Sequence, residues 1–275
     1  MTVTSHVLAS GPGWQVNDTI CSNGPHDRRF EEQHRTASIA VVTQGTFQYR
    51  TRHGAAMLVP GSILLGNAGA CFECGHEHGH GDRCLAFHLT PVFLEASARD
   101  VPGVKQASFA AAHLPPLPQL LPVLAEAEAA RDERDGGALE ELAHRLAGAV
   151  FSALADARPS PQRQSARDER RITAAVRRIE ACADEQVSLT ELAREAAMSP
   201  YHFLRVFRQV IGMTPHQFVL QTKLQRAAVR LRRTDDTISG IAYDAGFNDL
   251  SSFNRRFRRL MGATPSVYRA IRRGR

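Results

Sequence analysis

Two kinds of hydrophobic spacing divide the chain. Residues 36–49 carry short apolar runs, Ile39, Val41 and Val42 and then Phe47 and Tyr49 beyond Gln44-Gly45. Residues 56–65 repeat the texture with Met57-Leu58-Val59, the turn dipeptide Pro60-Gly61 and Ile63-Leu64-Leu65. Short β-rich runs bounded by turn residues predict a small antiparallel sandwich or barrel. Past Pro91 the period lengthens: residues 117–131 and 138–154 are rich in Ala, Leu and Glu at helical spacing. The second of these carries Leu139, Leu142, Leu146, Val150 and Leu154, a stripe at three- and four-residue intervals. Such a stripe serves either as packing on the domain's own sheet or as a contact with a second copy, and both readings stand at this point. Residues 157–166 hold two prolines among polar residues with no apolar period, which predicts a linker.

Beyond the linker the helical pattern contains a repeat. Residues 203–215 and 253–265 share the frame Phe-x-Arg-x-Phe-Arg-x-x-apolar-Gly-x-Thr-Pro, fifty positions apart. Seven specified positions matching by chance is very improbable, so the chain holds two copies of one supersecondary unit. Phe203 and Phe207, like Phe253 and Phe257, stand four apart and share a helical face as core, while Arg205 and Arg208, like Arg255 and Arg258, project to the other side. Gly212 and Gly262 can end their helices in a left-handed conformation. Thr214-Pro215 and Thr264-Pro265 then open the next helix as N-cap and first residue, and Gln217 completes a capping box with Thr214. Upstream, Ser188-Leu-Thr-Glu191 is a second capping box, and the helix it opens aligns with the one beginning at Ile238: Ala193 with Ala242, Ala196 with Ala245, Met198 with Phe247. Small residues at a helix crossing, a tight turn, then a helix bearing arginines meet the requirements of a helix-turn-helix, whose second helix enters a major groove. Residues 215–233 form one long connecting helix, and residues 169–185, with Ile172, Val176, Ile179 and Ala183 on one side, form a helix that covers the first core.

Charge sharpens this picture. The 275-residue chain has a net charge of +6, but residues 163–275 hold 22 Lys and Arg against 11 Asp and Glu, whereas residues 1–162 hold 12 against 17. Almost all of the C-terminal positive charge is arginine, whose planar fork of donors suits phosphate oxygens and guanine edges. A basic domain joined to an acidic one implies a polyanion-binding module coupled to something else. The N-terminus lacks a basic segment followed by an apolar one, and no stretch approaches the roughly 18 apolar residues of a membrane helix, so a cytoplasmic protein with no membrane partner is expected. No P-loop, Gly-x-Ser-x-Gly elbow or Rossmann glycine pattern is present.

The C-terminal half resembles the DNA-binding domain of the AraC/XylS family of transcription regulators. The resemblance covers about residues 170–271, and residues 241–269, running from Ile241-Ala-Tyr-Asp-Ala-Gly-Phe to Thr264-Pro-Ser-Val-Tyr-Arg269, fit that family's second-unit signature nearly position by position. It implies seven helices, two units entering successive major grooves of double-stranded DNA, and control of transcription through RNA polymerase. By matching positions, the first reading helix would present Tyr201, His202, Leu204 and Arg205, with Arg208 near phosphate. The second would present Leu250, Ser251, Asn254 and Arg255, with Arg258 and Arg259 near phosphate. For the arginines the alternative is a solvated surface; for Tyr201 and His202 it is packing. The resemblance also implies an N-terminal cupin-like β-barrel followed by helices that make a homodimer, hence an α+β protein with a sensor domain over 1–157, a linker over 158–166 and an all-α domain of two tandem helix-turn-helix units over 167–275.

One segment remains: Cys71-Phe-Glu-Cys74-Gly-His76-Glu-His78-Gly-His80-Gly-Asp-Arg-Cys84. A Cys-x-x-Cys pair within one metal's reach, with His76 and His78 alternating on a strand and Cys84 returning from the next, makes Cys71, Cys74, His76 and His78 candidate ligands, with Cys84 and His80 in reserve. Thiolate with imidazole favours zinc or copper. A redox-sensing thiol set and a purely structural role are the alternatives; Cys21 is expected to lie apart and Cys182 to be core. A metal-dependent cupin-type enzyme with an accessory DNA-binding domain is the competing function, and a DNA-packaging or repair protein with little sequence preference is a third. The effector of a regulator is not readable from these residues.

Overall fold

The computed structural model describes residues 3–273 apart from 25, 26, 28, 53, 77–80, 100, 103, 105, 134, 157–164 and 183–186, and apart from the side chains of residues 30, 133, 156 and 271–273. His78 and His80 and most of the expected linker therefore lie outside the described residues. The chain divides into two units, Met1–Leu117 with Ala130–Ser165, and Pro118–Ala129 with Ala166–Arg275.

The first unit is built on ten strands among the described residues: β1 (Val3–Gly11), β2 (Trp14–Cys21), β3 (Phe30–Gln33), β4 (Ala37–Gly45), β5 (Phe47–Thr51), β6 (Gly54–Leu58), β7 (Ile63–Gly66), β8 (Cys71–Gly75), β9 (Asp82–Leu89) and β10 (His113–Leu114). Helix α1 (Pro91–Arg99) follows β9, and α2 (Leu121–Glu133) and α3 (Gly136–Asp156) follow β10. The strands form two sheets, β1-β2-β9-β4-β7-β10 and β3-β8-β5-β6, every recorded pair antiparallel. The cupin-like β domain is thus a two-sheet sandwich and not a closed barrel. The chain passes from one sheet to the other at Gly45, whose φ of 76° ends β4, and β5 starts the second sheet instead of extending the first ladder. Between the sheets lies one core: Ala40, Val42, Leu64, Cys84 and Ala86 from the larger sheet, Phe47, Tyr49, Leu58 and Cys74 from the smaller. Ile39, Val41, Leu85 and Phe87 alternate with these on β4 and β9 and are equally buried, so the central strands read as continuous apolar runs.

The stripe on α3 is consumed inside the chain except at its end, where Leu154 is half-buried. Leu139, Leu142, Leu146 and Val150 are buried, and α3 packs on α1, β1 and β2. Of the two readings open for that stripe, the structure supports packing within its own domain.

The second unit holds, from residue 166 onward, seven helices among the described residues: α4 (Ala166–Ala181), α5 (Leu189–Glu195), α6 (Pro200–Ile211), α7 (Pro215–Arg233), α8 (Ile238–Asp244), α9 (Leu250–Met261) and α10 (Pro265–Arg273). Ile172, Val176 and Ile179 of α4 are buried, and α4 and α5 pack on α6. Cys182, one residue past α4, is half-buried beside Arg178. A second core gathers Leu224, Ala227, Ala228 and Leu231 of α7, Ile241 and Ala242 of α8, Phe253, Phe257 and Met261 of α9 and Tyr268 of α10. Leu121 and Ala125 belong to this same core, so the Pro118–Ala129 stretch packs with the C-terminal helices, although its position in the chain places it in the sensor half. Among the described residues no helix is long and apolar enough to cross a membrane.

Candidate nucleic-acid interface

The two copies of the repeat fold alike down to single hydrogen bonds. In the first, the Met198 amide donates to the Ala193 carbonyl at 2.9 Å and Ala197 to Arg194 at 3.0 Å; in the second, Phe247 donates to Ala242 at 3.1 Å and Gly246 to Tyr243 at 2.8 Å. These pairs close α5 and α8 and turn the chain toward α6 and α9. The turn needs a left-handed residue, supplied by Gly246 at φ 73° in one copy and by Ala197 at φ 49° in the other. Ser199 and Asp249 then cap the second helices by accepting from the amides of His202 and Ser252. Gly212 and Gly262 end both in the left-handed conformation, and Thr214 with Gln217 forms the expected capping box at the head of α7. Nineteen residues of continuous helix make α7 a strut of roughly 28 Å between the two units.

On α6 the core face is Phe203, Val206, Phe207 and Ile211, all buried, with Phe207 meeting Phe218 of α7 at 6.0 Å between ring centroids. The residues expected to read DNA fall on the other side. Tyr201 is 79% exposed, Leu204 is 36% exposed, Arg205 and Arg208 are exposed, and His202 is half-buried. Arg205 Nη2 lies 3.2 Å from His202 Nδ1, so these two side chains form one polar pair on the surface. On α9 the core face is Phe253, Phe257 and Met261; Ser251, Arg255, Arg258 and Arg259 are exposed, and Asn254 is half-buried. Leu250 is half-buried and packs against the Phe253 core, so its contribution there is structural as well as superficial. Arg230 differs from these arginines: its guanidinium is held by Asp236 at 2.8 Å and Asp244 at 2.9 Å. Asp249, accepting from the Ser252 amide at the start of α9, has its carboxyl held below the usual range by that bond.

The cysteine and histidine candidates of the N-terminal unit separate. Cys71 and Cys74 lie three apart on the extended β8, and an odd separation on a strand sends side chains to opposite faces; Cys71 is exposed and Cys74 buried. The Cys-x-x-Cys spacing would converge in a turn and does not converge here. His76 is buried instead against Asp82, Nε2 to Oδ1 at 2.5 Å, and Cys84 Sγ donates to the other oxygen of Asp82 at 3.3 Å. Cys21, expected to lie apart, completes the group: it stands opposite Asp82 in the β2–β9 register and beside His76. Cys21, His76 and Asp82 each bring a ligand-type atom within 4.8 Å of the others. Burial opposes the charged form of His76, but the hydrogen bonds to Asp82 and Cys21 outweigh it and raise its pKa to about 9. Burial, reinforced by the Asp82 charge, pushes the Cys74 and Cys84 thiols well up, which keeps both protonated at neutral pH. Asp82 and Cys21 were the residues missed; the only signal for them is the nonlocal register that pairs β2 with β9.

Comparison with known proteins identifies both halves of the chain. The model of the AraC-like ligand binding domain matches residues 19–160, more than half of the chain, and that of a helix-turn-helix domain matches residues 192–271. The chain is 40% identical over 79 residues to the HTH-type transcriptional regulator Rv1931c of Mycobacterium tuberculosis, a match spanning 29% of this chain and 30% of that protein. It is 36% identical over 86 residues to the regulatory protein SoxS of Salmonella typhimurium, spanning 31% of this chain and 80% of that one. Among solved structures, the DNA-binding domain of the global transcriptional factor AdpA, crystallised with a target DNA, is 29% identical, with a TM-score of 0.36 over 38% of this chain and 93% of that one. An N-terminal ligand-binding sandwich joined to two tandem helix-turn-helix units makes the chain a member of the AraC family of DNA-binding transcription regulators.

Proposed function

We propose that the chain reads a specific double-stranded DNA site by placing α6 and α9 in successive major grooves, and that it controls transcription through RNA polymerase in response to a signal taken up by the sandwich. The observation carrying this reading is the pair of identically capped helices, each with its phenylalanines inward and its arginines outward. Tyr201, His202, Leu204 and Arg205 on α6, and Ser251, Asn254 and Arg255 on α9, with Leu250 at its start, face the bases. Arg208, Arg258 and Arg259 contact phosphate, their charge setting the salt dependence. The arginine-rich composition of the C-terminal unit supports the same assignment. The protein acts in the cytoplasm as a regulator and not as a cupin-type enzyme, a reading supported by its family. A homodimer contact uses a surface other than Leu139, Leu142, Leu146 and Val150 of α3, which the chain itself covers.

Competition binding tests this. The purified chain, offered a promoter fragment from beside its own reading frame, should prefer it over random duplex by about a thousandfold or more at physiological salt. Equal affinity for both would assign it instead to proteins that package or repair DNA without sequence preference.

A further inference from the structure

We infer that Cys21, His76 and Asp82 form a binding site for one zinc-class divalent metal ion in the sandwich. The inference deepens the regulator reading by naming the chemistry of the signal the N-terminal unit takes up. The three side chains come from three separate places, the end of β2, the residue after β8 and the first residue of β9, and their ligand atoms lie within 4.8 Å of one another. A tetrahedral ion with bonds of about 2.0–2.3 Å to sulfur, nitrogen and oxygen needs its ligand atoms roughly 3.3–3.7 Å apart, so closure requires side-chain adjustments only. The His76–Asp82 contact at 2.5 Å is a proton held between two ligand atoms, and the ion would take that proton's place.

Burial and charge select the metal. Cys21 and His76 are buried and Asp82 is nearly so. A thiolate and a carboxylate around a divalent ion, with neutral imidazole, give a first shell of zero net charge, the least costly charge state to bury. A monovalent copper ion in the same shell would leave one uncompensated negative charge. One thiolate with imidazole and carboxylate suits zinc, whereas magnesium and calcium prefer oxygen alone. Cys84 holds the second oxygen of Asp82 at 3.3 Å, fixing the carboxylate so that its other oxygen faces His76, and the Phe47 ring packs on the His76 ring at 5.9 Å between centroids. Cys84 is accordingly a positioning residue, not a ligand. Three protein ligands leave the fourth position of a tetrahedral ion to water or a small anion.

Cobalt(II) titrated into the full, reduced and metal-free chain without DNA is the test, because a cobalt–thiolate bond gives a charge-transfer absorption that reads ligation and not regulation. One equivalent should develop that band, and zinc should displace it. Cys21→Ser should abolish the band; Asp82→Asn and His76→Gln should weaken binding at least tenfold. Cys84→Ala should weaken it about 10–100-fold while Cys84→Ser, which retains a donor to Asp82, recovers most of the loss. Cys71→Ser, altering an exposed thiol on the opposite face of β8, should bind as the parent does. Far-UV circular dichroism of each variant confirms folding, and should Cys21→Ser fail to fold, Asp82→Asn and the Cys84 pair decide alone. No band in the parent chain, or a band lost in Cys71→Ser and kept in Cys21→Ser, overturns the site. Specific DNA binding measured separately would stand or fall independently of either outcome.

Discussion

Ser199 and Asp249 occupy the same place in the two halves of the reading domain, each accepting the amide of the third residue beyond it, His202 at 3.3 Å and Ser252 at 2.7 Å. The bonds fix where α6 and α9 begin, and therefore which side chains occupy the outward face. Ser199→Ala removes one and should lower the stability of the C-terminal unit by about 1 kcal/mol in urea unfolding, while leaving the sandwich unchanged. A shift in both units alike would contradict the local role given to the cap.

Ala197 carries the one positive φ among described non-glycine residues, at the position where the second copy uses Gly246. A β-carbon in that conformation costs on the order of 1 kcal/mol, partly offset by the extra freedom a glycine would bring to the unfolded chain. Ala197→Gly should therefore stabilise the second unit by a few tenths of a kcal/mol to about 1 kcal/mol, and Gly246→Ala should destabilise it by a similar amount. Thermal unfolding of both variants measures the two signs; the same sign in both would show that the turns are not equivalent.

The outward arginines divide into two classes by their expected effect on DNA. Arg205→Ala and Arg255→Ala should each cost about 1–3 kcal/mol on the specific site and relax sequence preference at one base position. Arg258→Ala and Arg259→Ala should weaken specific and random duplex equally and reduce the slope of log affinity against log salt by about 1 each. Arg230→Ala should act on folding first, because that side chain is engaged with Asp236 and Asp244. Binding isotherms over a range of salt concentrations separate these outcomes.

His34 sets a pH limit on the sandwich. It is buried, lies 3.0 Å from the Tyr49 hydroxyl and stacks on Phe72, and burial, with a smaller push from the His88 charge, lowers its pKa to about 4. The unfolded chain takes up this proton near pH 6.5 and the folded chain only near 4, so the unfolded state binds more protons between those values. The stability contributed by His34 is full above about pH 6.5 and is lost as the pH drops toward 4, by up to about 3 kcal/mol. His88 and His113, also lowered by burial, act in the same direction. His34→Gln should flatten the curve of unfolding free energy against pH in this window, whatever its stability at neutral pH; an unchanged slope would show that His34 titrates normally in the fold.

How much of this was legible in the sequence depended on distance along the chain. The reading domain was legible almost entirely, since each cap, core pair and turn is encoded within a few residues: Phe203 with Phe207, Gly212 with Thr214, Ser188 with Glu191. The strands at 37–45 and 47–51 were legible because apolar runs mark buried strands. The edge strand β1 was not, because it is largely exposed and lacks an apolar alternation, although Trp14, Val16 and Asp18 of β2 do alternate inward. The metal candidates fared worst. Cys-x-x-Cys suggests convergence only if the backbone turns, and at Cys71–Gly75 it is extended. Cys21 meets Asp82 across a strand pairing sixty-one residues apart, which no local pattern announces. The same limit explains Pro118–Ala129, whose helical spacing was plain but whose partners in α7 to α9 lie about a hundred residues downstream.

Hydroxyl-radical footprinting of the selected operator tests the paired reading helices most directly. Two protected patches should appear on one face of the duplex, about 10–10.5 base pairs apart, with Arg205→Ala thinning only one patch and Arg255→Ala only the other. A single patch, or two that both fade in either variant, would mean that α6 and α9 do not read separate grooves.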